Sequence, residues 1–188
     1  MTTTMVERTK MSMEEFERLI ASPEAESRLE LIDGEVVEKA MATQEHSWIV
    51  QRVGLKIGAY ILDNGLGEGG PETRYRKLED HANSLLPDWS FMLNVTEPVT
   101  RGAVPSMPDF ALEVQSPDDS MPQMRRKAAI YLSLGARLVW LVLPRQRIVI
   151  ALWADGDEQL YGVDDSADFR DLLPGFMVAI RDVFPKQR

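Results

Sequence analysis

Two short apolar segments of this chain carry acids where an unpaired charge is expensive: LLPDWSFML holds Pro87 and Asp88, and MPDFALEVQSP holds Pro108, Asp109 and Glu113. Read as strands, their side chains alternate. Asp109, Ala111, Glu113 and Gln115 then share one face, and Phe110, Leu112 and Val114 share the other. At about 3.3 Å per residue, Asp109 and Glu113 stand roughly 13 Å apart along the strand, too far to chelate one ion. Asp88 belongs to a separate strand. Cross-strand neighbours approach to about 5 Å between Cβ atoms, so Asp88 and Glu113 are the pair able to share one Mg²⁺ ion. Such an ion takes one or two protein carboxylates and keeps water and phosphate oxygens as its other ligands. The chain has no Cys, so any metal here is held by oxygen or imidazole.

A cation completes the set. Lys127 follows Met124 by three residues and precedes Tyr131 by four, which puts it on their face of a helix rather than only on the outward face of Arg125 and Arg126. A Lys beside two carboxylates can stabilise developing phosphate charge or orient a nucleophile. The competing reading is a snorkelling Lys whose stem covers apolar surface.

The elements that position these residues are legible in turn. Ser12 with Glu15 three residues on forms a capping box for a helix to about Ile20, ended by Ser22 and Pro23. RLELIDGEVVEK, from Arg28 to Lys39, reads as a β-hairpin around Asp33-Gly34. Ile49, Val53, Ile57, Tyr60 and Ile61 recur at helical spacing from about Gln44 to Asp63. Gly54 and Gly58 inside that helix suggest a backbone packed closely against it. Strands follow near Glu72 to Leu78, Leu85 to Leu93 and Asp109 to Gln115. A helix from about Met121 to Leu134, with Ser120 or Asp119 as cap and Gly135 as its stop, leads to strands at Leu138 to Leu143 and Arg147 to Trp153.

This order predicts an α/β fold with a mixed sheet, one parallel pair across the last helix, and helices on at least one face. The length of 188 residues fits one domain, with the core at about 44–153, an N-terminal helix and hairpin at 12–39, and an acidic, loop-rich end at 154–188. The start of the chain lacks an apolar signal segment and no later run approaches a membrane span, so no membrane partner and a cytoplasmic location are expected. A net charge of −9 argues against a broad non-specific nucleic-acid surface. Locally, Arg74, Arg76 and Lys77, with Arg125 and Arg126, are candidates for a phosphate-facing stripe.

RLELIDGEVVE, Glu45-His46, LLPDWSFM, PDFALEVQSP and KAAIYLSLGARLVWLVLP, taken in order, resemble the PD-(D/E)XK nuclease superfamily, and more narrowly the Uma-two family of restriction-endonuclease-like proteins. The resemblance implies a restriction-endonuclease-like sheet flanked by helices and a Mg²⁺- or Mn²⁺-dependent endonuclease cutting DNA phosphodiester bonds, with homodimerisation as the arrangement common to such enzymes. By the same resemblance, Asp88 and Glu113 match the metal-binding acids. Gln115 stands at the place of the usual catalytic Lys, and Lys127 matches the alternative place on the following helix. Glu30, Glu35 and His46 also match recurring positions. Glu30 and Glu35 read more simply as a charged hairpin surface, with Glu35 the better candidate of the two, and His46 reads as a structural residue at a helix start. The alternative function is a catalytically inactive module of the same fold that binds nucleic acid or protein, which the acidic charge and Gln115 favour.

Overall fold

A computed structural model describes residues 10–22, 28–95 and 97–186. Pro23, read above as a helix stop, lies outside the described residues. Helix α1 (Met13–Ile20) begins at the expected capping box, with Ser12 and Glu15 bonded reciprocally. Hairpin strands β1 (Leu29–Ile32) and β2 (Glu35–Glu38) flank Asp33 and Gly34, whose φ values of 51° and 80° are those of a type I′ turn. Helices α2 (Gln44–Asp63) and α3 (Met121–Leu134) span the residues their apolar periodicity predicted.

The main sheet has six strands in the order β3-β4-β5-β6-β7-β8. They are β3 (Gly67–Pro71), β4 (Trp89–Leu93), β5 (Phe110–Val114), β6 (Leu138–Leu143), β7 (Ile148–Trp153) and β8 (Glu158–Tyr161). β5 and β6 are parallel with α3 as their crossover, and the other neighbours are antiparallel. One face carries Trp89, Phe91, Phe110, Leu112, Val114 and Trp140 into a core closed by Ile49, Val53, Ile57 and Ile61 of α2. The opposite face packs Ala111, Val139 and Leu141 against Met124, Ala128 and Tyr131 of α3. Among the described residues, no helix is long and apolar enough to cross a membrane.

Four expectations need correction. The strand read at Glu72 to Leu78 is only a pair of isolated bridges, from Tyr75 to Leu85 and to Val104, while the sheet edge is the preceding segment GEGGP. Two of its three glycines have no room for a side chain: a Cβ on Gly67 would lie 2.0 Å from the Met92 carbonyl, and one on Gly69 2.8 Å from the Trp89 ring. Ladder pairing of β4 starts at Trp89 rather than Leu85, since Pro87 has no N–H to donate.

The helix glycine Gly54 does mark close packing, but against a side chain, with the Trp89 indole 2.7 Å from where its Cβ would stand. The C-terminal segment is more than an acidic loop. It adds β8 to the sheet, forms a small pair from β9 (Ser166–Asp168) and β10 (Met177–Ala179), and buries Phe169, Leu173, Val183 and Phe184 in the larger core. Charged residues stand between these apolar ones, which is why the segment reads as acidic in composition while its apolar side chains still reach the core.

Candidate active site

Pairing between β4 and β5 aligns Trp89 with Leu112 and Ser90 with Ala111, so one further step sets Asp88 opposite Glu113. Both side chains take the α3 side of the sheet, at the end where β4 begins and β5 finishes. The Asp88 N–H donates to the Leu112 carbonyl at 3.0 Å, and Asp88 Oδ2 accepts the Val114 N–H at 2.8 Å. The carboxylate therefore replaces a main-chain acceptor at the ladder's end, which fixes its orientation.

Four other elements converge on the pair. Lys39, just past β2, places Nζ 2.7 Å from Asp88 Oδ1 and donates to the Leu86 carbonyl at 2.7 Å. His46, in the first turn of α2, sets Nε2 3.0 Å from Asp88 Oδ2. Lys127 of α3 sits 2.8 Å from Glu113 Oε1 and 2.8 Å from Glu30 Oε2. Tyr131, one turn on, donates its hydroxyl to Glu113 Oε1 at 3.0 Å. Glu30 of β1 also accepts the Leu86 N–H at 2.5 Å, so the hairpin's Glu30 and Lys39 together satisfy both polar groups of the Leu86 main chain. The hairpin is itself anchored beside this segment by the Leu31–Ser84 bridge and by the Asp33 N–H donating to Asn83 Oδ1 at 2.8 Å.

The acids and Lys127 are buried, with Glu30 2%, Asp88 4%, Glu113 7% and Lys127 8% exposed, while Lys39 taken as a whole residue is half-buried. Burial opposes the charge on Asp88, but Lys39, the His46 hydrogen bond and Lys127 overcome it and hold the carboxyl well below the usual carboxylate range. Glu113 goes the other way. Burial pushes it up to about 7, with Lys127 opposing and the neighbouring Asp88 charge reinforcing the rise. Burial also works against the Lys127 ammonium, yet Glu113, Glu30 and Asp88 outweigh it and raise its pKa, so it stays charged. Burial and the nearby acids raise Tyr131 well above an ordinary phenol, which keeps its hydroxyl a donor.

Apart from Tyr131, which lies beneath Glu113, these residues line a cleft of about 530 Å³, walled by the hairpin on one side and by the start of α3 on the other. Asp88, Glu113, Lys127, His46 and Glu35 all border it. Gln115 does not. β5 ends at Val114, so strand alternation no longer governs Gln115; its amide donates to the Asp119 carbonyl at 3.2 Å, and it borders an adjacent groove with Thr43 and Arg145. Glu30 also departs from the surface reading, since it is buried against Lys127.

The four arginines of the basic stripe are already engaged. Arg74 donates to the Leu29 carbonyl, Arg76 pairs with Glu17, Arg125 with Glu158, and Arg126 with Asp33. Lys39 is the residue that sequence reasoning missed. Its only local signal is a Lys at the end of a charged hairpin, and its partner Asp88 lies far along the chain.

As to the donor set, no group of three His, Cys, Asp or Glu among the described residues is arranged to hold a metal ion. Two carboxylates facing each other across a strand pair are nonetheless enough for a hard, oxygen-seeking cation such as Mg²⁺. The residues present fit that ion and do not fit a closed zinc cage.

A mixed six-stranded sheet packed between helices is a restriction-endonuclease-like fold. The fold is similar to that of a "putative nuclease belonging to DUF820" from Anabaena variabilis ATCC 29413, with a TM-score of 0.78 at 20% identity over 93% of this chain and 97% of that one. Residues 13–181 match the Uma2 family, described as "Putative restriction endonuclease", and the chain belongs to that family. No curated protein matches it.

Proposed function

We propose that this protein is a Mg²⁺- or Mn²⁺-dependent endonuclease that hydrolyses DNA phosphodiester bonds, with Asp88 and Glu113 as the metal ligands. The observation that carries the reading is the β4–β5 register, which sets the two acids opposite each other in a cleft with the Lys127 ammonium on one of them. When bound, the ion supplies polarisation of a phosphate oxygen and activation of water.

The chain's own residues do the rest. Asp88, held by the Val114 N–H and His46, presents its carboxylate in one orientation. Glu113 must be ionised to ligate, and its raised pKa places that ionisation near neutrality. Lys127 keeps its proton, so it serves as a fixed positive charge for the negative charge that grows on the phosphate and not as a base. Glu30 holds Lys127 in place from the hairpin side. Nucleic acid as the substrate class agrees with the family description.

The test is nicking of supercoiled plasmid with Mg²⁺ or Mn²⁺ by the wild type and by Asp88→Asn and Glu113→Gln. Activity should need the cation and disappear in both variants, and nicking that survives them would remove the proposal. One observation favours a second reading, an inactive binding module: Lys39 and Lys127 already neutralise much of the acid pair's charge. A wild type whose melting temperature ignores millimolar Mn²⁺ would support that module.

A further inference from the structure

The two lysines of the cleft are bound differently. Lys127 bridges two carboxylates, Glu30 and Glu113, each at 2.8 Å. Lys39 has one carboxylate, Asp88, and otherwise donates to the Leu86 carbonyl. A cation that coordinates Glu113 leaves Lys127 with Glu30 as a full counter-ion. A cation that coordinates Asp88 leaves Lys39 with a neutral carbonyl alone. Asp88 has little spare capacity, because Oδ2 already faces His46 and the Val114 N–H while Oδ1 faces Lys39. Two cations crowded on one buried carboxylate repel strongly in a poorly solvated cleft. Lys39 and Lys127 both border the cleft and their side chains are 9% and 10% exposed, so what separates them is their counter-ions.

Resting on the reading of Asp88 and Glu113 as a divalent-cation site, we propose that Lys39 is a resident counter-ion that competes with the metal for Asp88 and is displaced by it, while Lys127 stays in place. Lys39 thereby sets how much free cation the site needs. It holds the Asp88 carboxylate in one orientation until the cation arrives. It also lowers affinity for that cation, so the hairpin tunes the site without ligating the metal.

The proposal is tested with Mn²⁺ alone as the probe. In the wild type, reductive methylation read by mass spectrometry should modify Lys39 faster when Mn²⁺ is present, with Lys127 protected in both conditions. Calorimetry should show Mn²⁺ binding about tenfold tighter to Lys39→Met than to the wild type, the factor expected for losing one competing charge-assisted hydrogen bond. Lys39→Arg, which keeps the charge, should stay near the wild type.

Equal or weaker binding by folded Lys39→Met, or Lys39 protection unchanged on Mn²⁺ saturation, overturns the displacement and leaves the metal site standing. If Lys39→Met does not fold, the methylation of the wild type decides. Asp88→Asn separates the two readings. Loss of Mn²⁺ heat in that variant supports the site itself, and absence of heat in the wild type and in Lys39→Met alike removes both the site and the role of Lys39.

Discussion

Asp88 and Asp109 each follow a proline at the entry of adjacent antiparallel strands, and their backbones do the same thing. Asp88 donates its N–H to Leu112 and accepts the Val114 N–H; Asp109 donates to Phe91 and accepts the Leu93 N–H at 2.8 Å. The two arrangements are related by the strand pair's own near-twofold symmetry, one at each end. Their surroundings differ. Asp109 is a quarter exposed, and Arg137 approaches it only to 3.8 Å. Asp88 is buried under Lys39 and His46 and faces Glu113. Pro-Asp is therefore a strand-entry device in both places, with Pro removing a donor and Asp capping the ladder. The chemistry at one end comes from the hairpin and the two helices that converge there.

If that contrast is right, the largest effect belongs to the acid at the crowded end. Asp88→Asn keeps an acceptor for the Val114 N–H but loses the charge, so plasmid nicking and Mn²⁺ binding should both fall to background. Circular dichroism should still report a folded chain. Retained Mn²⁺ binding in the folded variant would make the two ends functionally alike.

The next effect is on stability. Lys127→Met leaves Glu30 and Glu113 buried without their shared cation, and breaking such a buried pair costs about 3–5 kcal/mol. Urea unfolding should show the loss. A change no larger than that of an exposed pair such as Arg125–Glu158, about 1 kcal/mol or less, would mean that water reaches the cluster.

A pH dependence distinguishes the ends as well. Glu113 is raised from 4.5 to about 7, so the folded state holds its proton more tightly than the unfolded chain does. Its contribution to stability is full below 4.5 and is lost as pH rises to about 7. Asp88 is depressed, so its contribution is present above 3.8 and is lost only as pH falls through its lower folded value. Without cation, the melting temperature should therefore decline between those Glu113 limits. Mn²⁺ affinity should rise about tenfold per pH unit up to neutrality, because the ligand must be ionised. Glu113→Gln should flatten both profiles, and Asp109→Asn should flatten neither.

How much of this was readable follows from the same contrast. Capping residues and apolar spacing are local signals, and α1, α2 and α3 lie where Ser12, Ile49 to Ile61 and Ser120 to Gly135 put them. Strand geometry was enough to prefer Asp88 over Asp109 as the partner of Glu113, since the rise per residue separates Asp109 from Glu113 although alternation puts them on one face. It failed at Gln115, where the strand had already ended, and at β3, whose Gly67 and Gly69 are dictated by Met92 and Trp89 rather than by any strand propensity. Glu30 looked like hairpin surface and Lys39 drew no reading at all, because nothing within the hairpin reveals that its far side lies over Leu86 and Asp88. Such convergence is set by tertiary docking, which a single sequence does not display.

The smallest expected effect is at the uncrowded end, and it bears most directly on the idea of a shared device. Asp109→Asn still offers an oxygen to the Leu93 N–H and loses only a loose approach of Arg137, so it should cost about 1 kcal/mol in urea unfolding and leave nicking and Mn²⁺ binding unchanged. Asp109→Ala removes the acceptor and should cost more, by roughly the 1–3 kcal/mol of an unsatisfied donor. If the Ala and Asn variants are equally stable, the carboxylate is not capping the ladder at Asp109. The matching bond at Asp88 would then owe its place to Lys39 and His46 alone, since the strand entry would no longer explain it.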